Sequence, residues 1–193
     1  MSFFSEIRNE CLIRELQCEL NTDVLLFGVD GFIYFGNLQG VEDCRIALLS
    51  PAIKATTRDV QILSPGGELR RVDFLRVDLW AIVAKGTAIV HDPIAHSKWN
   101  NLDPATPQKE ETEERQESHL LIRQLCRMIG DDVVITTLGG FLFEGTLGAI
   151  DGELAIMRVS DIFGPATSSA ISDEDVRSVV VNLEALTSVS SAT

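Results

Sequence analysis

The residues of this chain that could do chemistry are few, and their spacing does not suit it. The four cysteines are Cys11, Cys18, Cys44 and Cys126, with no C-x-x-C pair among them. A structural zinc site needs about four converging thiolate or imidazole ligands. Cys11 and Cys18, seven apart, share one helix face and read as small buried apolar side chains. His91 and His96 flank a proline, five apart, and read as solvated loop residues. Asp131-Asp132 and Asp173–Asp175 sit where strands begin, as turn carboxylates rather than a general-acid pair. There is no G-x-S-x-G, no phosphate-cradling P-loop and no H-E-x-x-H. No catalytic residue, metal ligand or cofactor is expected. What remains is recognition chemistry: Trp80 and Tyr34 have faces on which a base could stack, and Asn182 has an amide that could reach one. A Trp beside alternating apolar residues more commonly packs in a core or an interface.

The elements that would carry these residues are written twice. Aligning Leu12–Asp43 with Leu121–Gly152 at an offset of 109 gives ten identities in 32 pairs, among them Gly31/Gly140, Phe32/Phe141 and Gly36/Gly145. A one-residue slip then pairs Ile46 with Leu154 and Leu48 with Ile156, and "VDLWAIV" at 77–83 matches "VNLEALT" at 181–187 at an offset of 104. Repeats preserved in this order indicate one structural unit used twice. Each copy opens on a helical period: Leu121, Leu125 and Met128 form a stripe in the second, with Ile122 and Ile129 adjoining, and Ile7, Cys11, Arg14 and Cys18 line up in the first, flanked by Leu12, Leu16 and Leu20. Strand patterns follow, with Gly31 and Gly140 in hairpin turns. Gly36 and Gly145 interrupt the next strand. A strand-interior glycine packs nothing and loses stability; it suits a strand that must bend sharply, as at the corner of a small barrel. The predicted unit is a helix and five antiparallel strands: 1–92, an acidic proline-containing linker at 93–114, and 115–193. The polar stretches "TTRDVQILSPGGEL" and "DIFGPATSSAISDED" read as connections between the third and fourth strands.

Composition narrows the function classes. With 29 acidic and 16 basic residues the net charge is −13, which opposes binding to phosphate backbones and anionic membrane surfaces. No stretch reads as a signal peptide or a membrane span, and the expected location is the cytoplasm.

These residues together resemble the Sm and Sm-like family, which includes the bacterial RNA chaperone Hfq. Its first motif runs G-x-L-x-x-x-D-x-x-[MF]-N-[LV]; Gly145, Leu147, Asp151, Leu154 and Ile156 match it, as do Gly36, Leu38 and Glu42, then Ile46 and Leu48 after one extra residue. The resemblance implies a mainly β fold of two tandem bent five-stranded barrels, each preceded by a helix. It also implies self-association as a ring or pseudo-ring, the fourth strand of one barrel pairing the fifth of the next. The interface edges would then be Val77, Leu79 and Ile82 and their counterparts Val181, Leu183 and Leu186, either between chains or between the two barrels of one chain. The departures bear on function. Where the family's RNA binders hold a base with Asn, this chain has Ala47 and Ala155. The Arg-Gly of the second motif is replaced by Asp78-Leu79 and Asn182-Leu183. The expectation is a non-catalytic assembly or adaptor protein that binds itself and an unknown protein partner. RNA binding through degenerate motifs is the alternative.

Overall fold

The computed structural model describes residues 9–53, 59–88, 118–165, 171–172 and 176–192. His91, His96, the 93–114 linker and Asp173–Asp175 lie outside those residues. The chain is mainly β and antiparallel throughout. Helix α1 (Glu10–Gln17) precedes β1 (Asp23–Gly28), β2 (Ile33–Glu42), β3 (Ile46–Ser50), β4 (Val60–Leu63), β5 (Leu69–Val72), β6 (Leu75–Asp78) and β7 (Ile82–Ala88). Helix α2 (Ser118–Arg127) precedes β8 (Asp132–Thr137), β9 (Phe141–Asp151), β10 (Leu154–Phe163), β11 (Ile171–Ser172), β12 (Val176–Asn182) and β13 (Leu186–Ser191). The first polar connection therefore holds a hairpin, β4–β5, turning at Pro65-Gly66-Gly67. In the second, β10 runs on to Phe163 and β11 pairs with it.

The two halves repeat each other in register. Val24, Leu25 and Leu26 of β1 face Thr87, Gly86 and Lys85 of β7; Val133, Val134 and Ile135 of β8 face Ser191, Ser190 and Val189 of β13. Ala47 faces Val77, and Ala155 faces Val181. These are the offsets of 109, 108 and 104 read from the sequence. Gly36 in β2 and Gly145 in β9 stand where backbones crowd. A Cβ on Gly36 would lie 2.9 Å from the Ser50 carbonyl oxygen, and one on Gly145 would run into the Arg158 carbonyl and come within 2.7 Å of Val159 Cα. Beside Gly145 the β9–β10 register shifts between Val159 and Asp161, the local kink a bulge produces.

The halves are joined edge to edge. The sheet runs β13-β8-β9-β10-β12-β7-β1-β2-β3-β6, continuous because β12 of the second half pairs with β7 of the first. A strand at such a junction is covered on both faces, and every residue of β1 is buried. Val24 and Leu26 enter a core with Leu12, Ile13 and Leu16 of α1 and with Leu154 and Val180 from the far half. Leu25 and Phe27 enter the other core, with Phe141, Phe143 and Met157. Phe27 meets Phe141 and Phe143 edge-on at centroid separations of 5.2 and 5.3 Å. Burial of a side chain of this size contributes roughly 1.5–3 kcal/mol.

Two expectations change here. The buried face of α1 is Leu12, Ile13 and Leu16, so the flanking leucines rather than the Cys11–Arg14–Cys18 line face the core; Leu20 is exposed, and Ile7 lies outside the described residues. The cysteines are not buried thiols either: Cys11 is half-buried and Cys18 exposed, because α1 turns its leucine face inward, and Cys44, between β2 and β3, and Cys126, on α2, are exposed.

Candidate functional site

Among the described residues the main strand order ends on two strands paired on one side only, β6 and β13; off that path the short β5 and β11 are also paired on one side only. The residues expected at interface edges divide among three places. Val181 lies in the internal joint, opposite Ala84 of β7. Val77 lies on the open β6 and Leu186 on the open β13. Leu79 and Ile82 are fully buried in the first core, and Leu183 packs against the second.

A 3-10 turn follows β6 at Leu79–Ala81 and another follows β12 at Leu183–Ala185, each capped by the side chain before it. Asp78 Oδ1 accepts from the Trp80 amide at 3.1 Å; Asn182 Oδ1 accepts from the Glu184 amide at 2.9 Å. The two caps sit in different surroundings. Asn182 is 1% exposed, and its Nδ2 donates to Asn9 Oδ1. Asn9 Nδ2 in turn donates to the Leu79 and Ile82 carbonyls. This amide chain ties the start of α1 to both halves and leaves Asn182 no face for a base. Asp78 stands at the open edge and accepts two hydrogen bonds from Arg45, from Nε at 3.0 Å and Nη2 at 2.8 Å. That guanidinium holds the Asp78 carboxyl below its usual range. It also covers the Trp80 ring at 4.0 Å from the centroid, a face a base would otherwise use.

Beside β6 lies a shallow groove of about 170 Å³ lined by Gly28, Asp30, Tyr34, Leu75, Val77 and Ile82. Tyr34 is half-buried there, its ring stacked on Phe32, and its phenol is pushed up to about 12, by burial first and Asp30 second. The matching residues of the second half, Phe141 and Phe143, are fully buried because the first half covers them.

Ala47 and Ala155 are both fully buried. Three arginines of the first half stand beside carboxylates: Arg71 by Asp59 at 3.6 Å, Arg76 by Glu42 at 3.9 Å, and Arg45 by Asp78. Sequence reasoning missed Lys85. It is buried on β7, opposite Val180 across the joint, and pairs with Glu19 at 2.7 Å; Glu19 also accepts from the Thr87 hydroxyl at 3.0 Å. A lone lysine in "VAKGTA" was the signal. Among the described residues no group of three or more His, Cys, Asp and Glu could hold a metal ion. No described helix is long and apolar enough to cross a membrane.

No protein-family model and no curated protein matches this chain. Among solved structures, an Sm protein of Pyrococcus abyssii in complex with a uridine heptamer is similar at 18% identity and a TM-score of 0.30. The match covers 41% of this chain and 100% of that one.

Proposed function

We propose that this protein is a non-catalytic assembly and adaptor module that associates with itself through its open strand edges. The observation that carries this reading is the internal β12–β7 joint, which leaves unpaired one strand of each kind that the joint uses. Unpaired edges are templates for further pairing. A head-to-tail contact of this type closes into a ring when its rotation allows, and three chains would bring six halves together. The domain plan behind it, 1–92 and 115–193 as two Sm-like barrels about a 93–114 linker, belongs to this proposal, as does a cytoplasmic location.

The buried Ala47 and Ala155, the covered Trp80 and the net charge of −13 weigh against RNA as the main ligand. A bidentate hydrogen bond to a base edge supplies about 1–3 kcal/mol of discrimination, and an alanine methyl supplies none of it. Light scattering across a concentration series tests the reading: mass should rise to a multiple of 21.2 kDa. A monomer at every concentration would refute it. Uridine-rich and adenine-rich oligoribonucleotides titrated at near-physiological salt should show weak binding. Sub-micromolar binding that falls steeply with salt would favour the RNA reading instead.

A further inference from the structure

The two halves differ most at the short strand that lies off the main sheet. Among the described residues β5 pairs with β4 alone, so its other edge is unpaired. Its sequence is Leu69-Arg70-Arg71-Val72, and the first three residues are exposed. The equivalent strand of the second half is β11, Ile171-Ser172, which also pairs on one side only. Ile62 faces Arg70 where Ile162 faces Ile171, and Gln61 faces Arg71 where Asp161 faces Ser172. Ile171 is fully buried. The two arginines are therefore no part of the repeat, and a one-sided strand at this place in the fold stands without them.

The β5 edge is basic in an acidic protein. Residues 69–76 read LRRVDFLR, three arginines against one aspartate, in a chain of net charge −13. Arg71 stands beside Asp59, and Arg70 makes no ion pair among the described residues. Neither arginine has a carboxylate opposite it on β4. Leu69 is 38% exposed and Phe74, two residues past the strand, 50%. Charge by itself blunts an edge against pairing, whereas exposed large apolar side chains invite it. The combination suits an edge that rejects most strands and accepts one with acid opposite its arginines.

We propose that the unpaired edge of β5 binds an extended acidic segment of a partner protein as an added strand, with carboxylates opposite Arg70 and Arg71 and apolar side chains opposite Leu69 and Val72. This names the partner class of the adaptor reading above and rests on it. Opposite charges across a strand pair stabilise it, and arginine meets a carboxylate through two parallel hydrogen bonds. The order apolar-basic-basic-apolar reads alike in both directions, so a Val-Glu-Glu-Val core fits it. The net charge does not forbid this contact. At physiological ionic strength exposed charges more than about 8 Å apart are largely screened, so a short acidic segment feels the arginines it touches. A long polyanion such as RNA reaches past that distance and gains less.

The test uses the full chain and a fluorescein-labelled peptide of three Val-Glu-Glu-Val repeats, titrated by anisotropy at near-physiological salt. The peptide should bind, and the same peptide with Lys for Glu should not. Arg70→Glu with Arg71→Glu should weaken the acidic peptide about tenfold or more and admit the lysine peptide. Because Arg71 also pairs with Asp59, R70E alone is the second variant, with a smaller loss expected and an unchanged far-UV spectrum. Methylating alternate backbone amides of the peptide keeps its charge, removes its edge donors and should abolish binding. Failure of the acidic peptide to bind, or equal binding of its methylated form, overturns the proposal. An oligouridylate that binds more tightly than the peptide gives the arginines to phosphate and overturns it too. A light-scattering mass that changes in R70E/R71E gives the edge to a second copy, with the same consequence. The mass of the wild type judges self-association separately, so a failed peptide with an intact oligomer sinks this proposal alone.

Discussion

At the residue scale, function and stability meet in a few side chains whose surroundings differ between the halves. Tyr34 is the sole tyrosine, so an absorbance titration of phenolate reads it alone. Burial and Asp30 raise it to about 12, above the ordinary value near 10. The native state then keeps a proton that the unfolded chain releases, so stability should fall as pH rises from 10 toward 12. No phenolate should appear in the native protein below about pH 11; ionisation near 10 would remove Tyr34 from its groove. Asp78 titrates in the opposite sense. Its lowered value means its stabilisation is present above the ordinary carboxylate range and is lost as pH falls through the folded value. The pair with Arg45 is open to solvent, with side chains 44% and 40% exposed, which limits it to about 1 kcal/mol or less. Asp78→Asn, the residue the second half uses, keeps the cap and should cost no more than that at neutral pH. Thermal melts at pH 7 and pH 3 check it, with the difference expected to shrink at the lower pH. Gly145→Ala places a methyl on the Arg158 carbonyl and should destabilise by about 3 kcal/mol. Gly36→Ala meets the Ser50 carbonyl oxygen at 2.9 Å and the Leu49 and Val60 side chains at 3.3 and 3.4 Å, a looser fit, and should cost less. Urea unfolding of both variants ranks them, and equal midpoints would contradict the crowding at Gly145.

At the element scale, β7 is the hinge of the architecture, because it pairs β1 on one side and β12 on the other. It carries the buried cation of the joint, Lys85, 3% exposed and held by Glu19 from the turn that follows α1. Removing one partner leaves the other charge unpaired out of water. Glu19→Ala should therefore cost about 3–5 kcal/mol, whereas the double change Glu19→Gln with Lys85→Met should lie close to wild type. A double-mutant cycle by urea denaturation measures this coupling; additive effects would mean the pair is solvated. The sequence showed β1 as a strand, but the meaning of its composition was missed. "DVLLFG" is apolar on both faces, whereas its counterpart "DVVITT" alternates. A strand covered on both faces reads as a continuous apolar run, and here that run marks the internal joint.

At the scale of the whole molecule, the two halves share both of their cores. Core residues of each half complete the other: Leu25, Phe27, Ile33 and Phe35 stand in the core of Phe141 and Phe143, and Val180 and Leu154 in that of α1. Far-UV and near-UV signals should therefore unfold in one coincident transition. The proposed 93–114 linker gives a further test, since its composition cannot bury a core. A cut there should leave two fragments that co-migrate until denaturant separates them. Fragments that part in buffer would show the joint too weak to hold the halves together. The fragment 1–92 made alone should aggregate, because it exposes Leu25, Phe27, Ile33 and Phe35.

The sequence by itself determined the repeat, its offsets, the helix before each set of strands and the glycines that interrupt β2 and β9. Each of these is local: a period, a turn residue or a spacing is written in neighbouring residues. Whether the copies pair within one chain was left open, since matched edges look alike from either side of a joint. The tertiary structure decided it by pairing β12 with β7. That pairing buried Asn182 and Lys85, put Leu25 and Phe27 into a second core, and left Tyr34, Arg76 and Trp80 at an open edge. Equivalent positions such as Asp78 and Asn182 acquired different surroundings because burial is set by contacts distant in sequence, and no window of the chain contains both sides of such a contact.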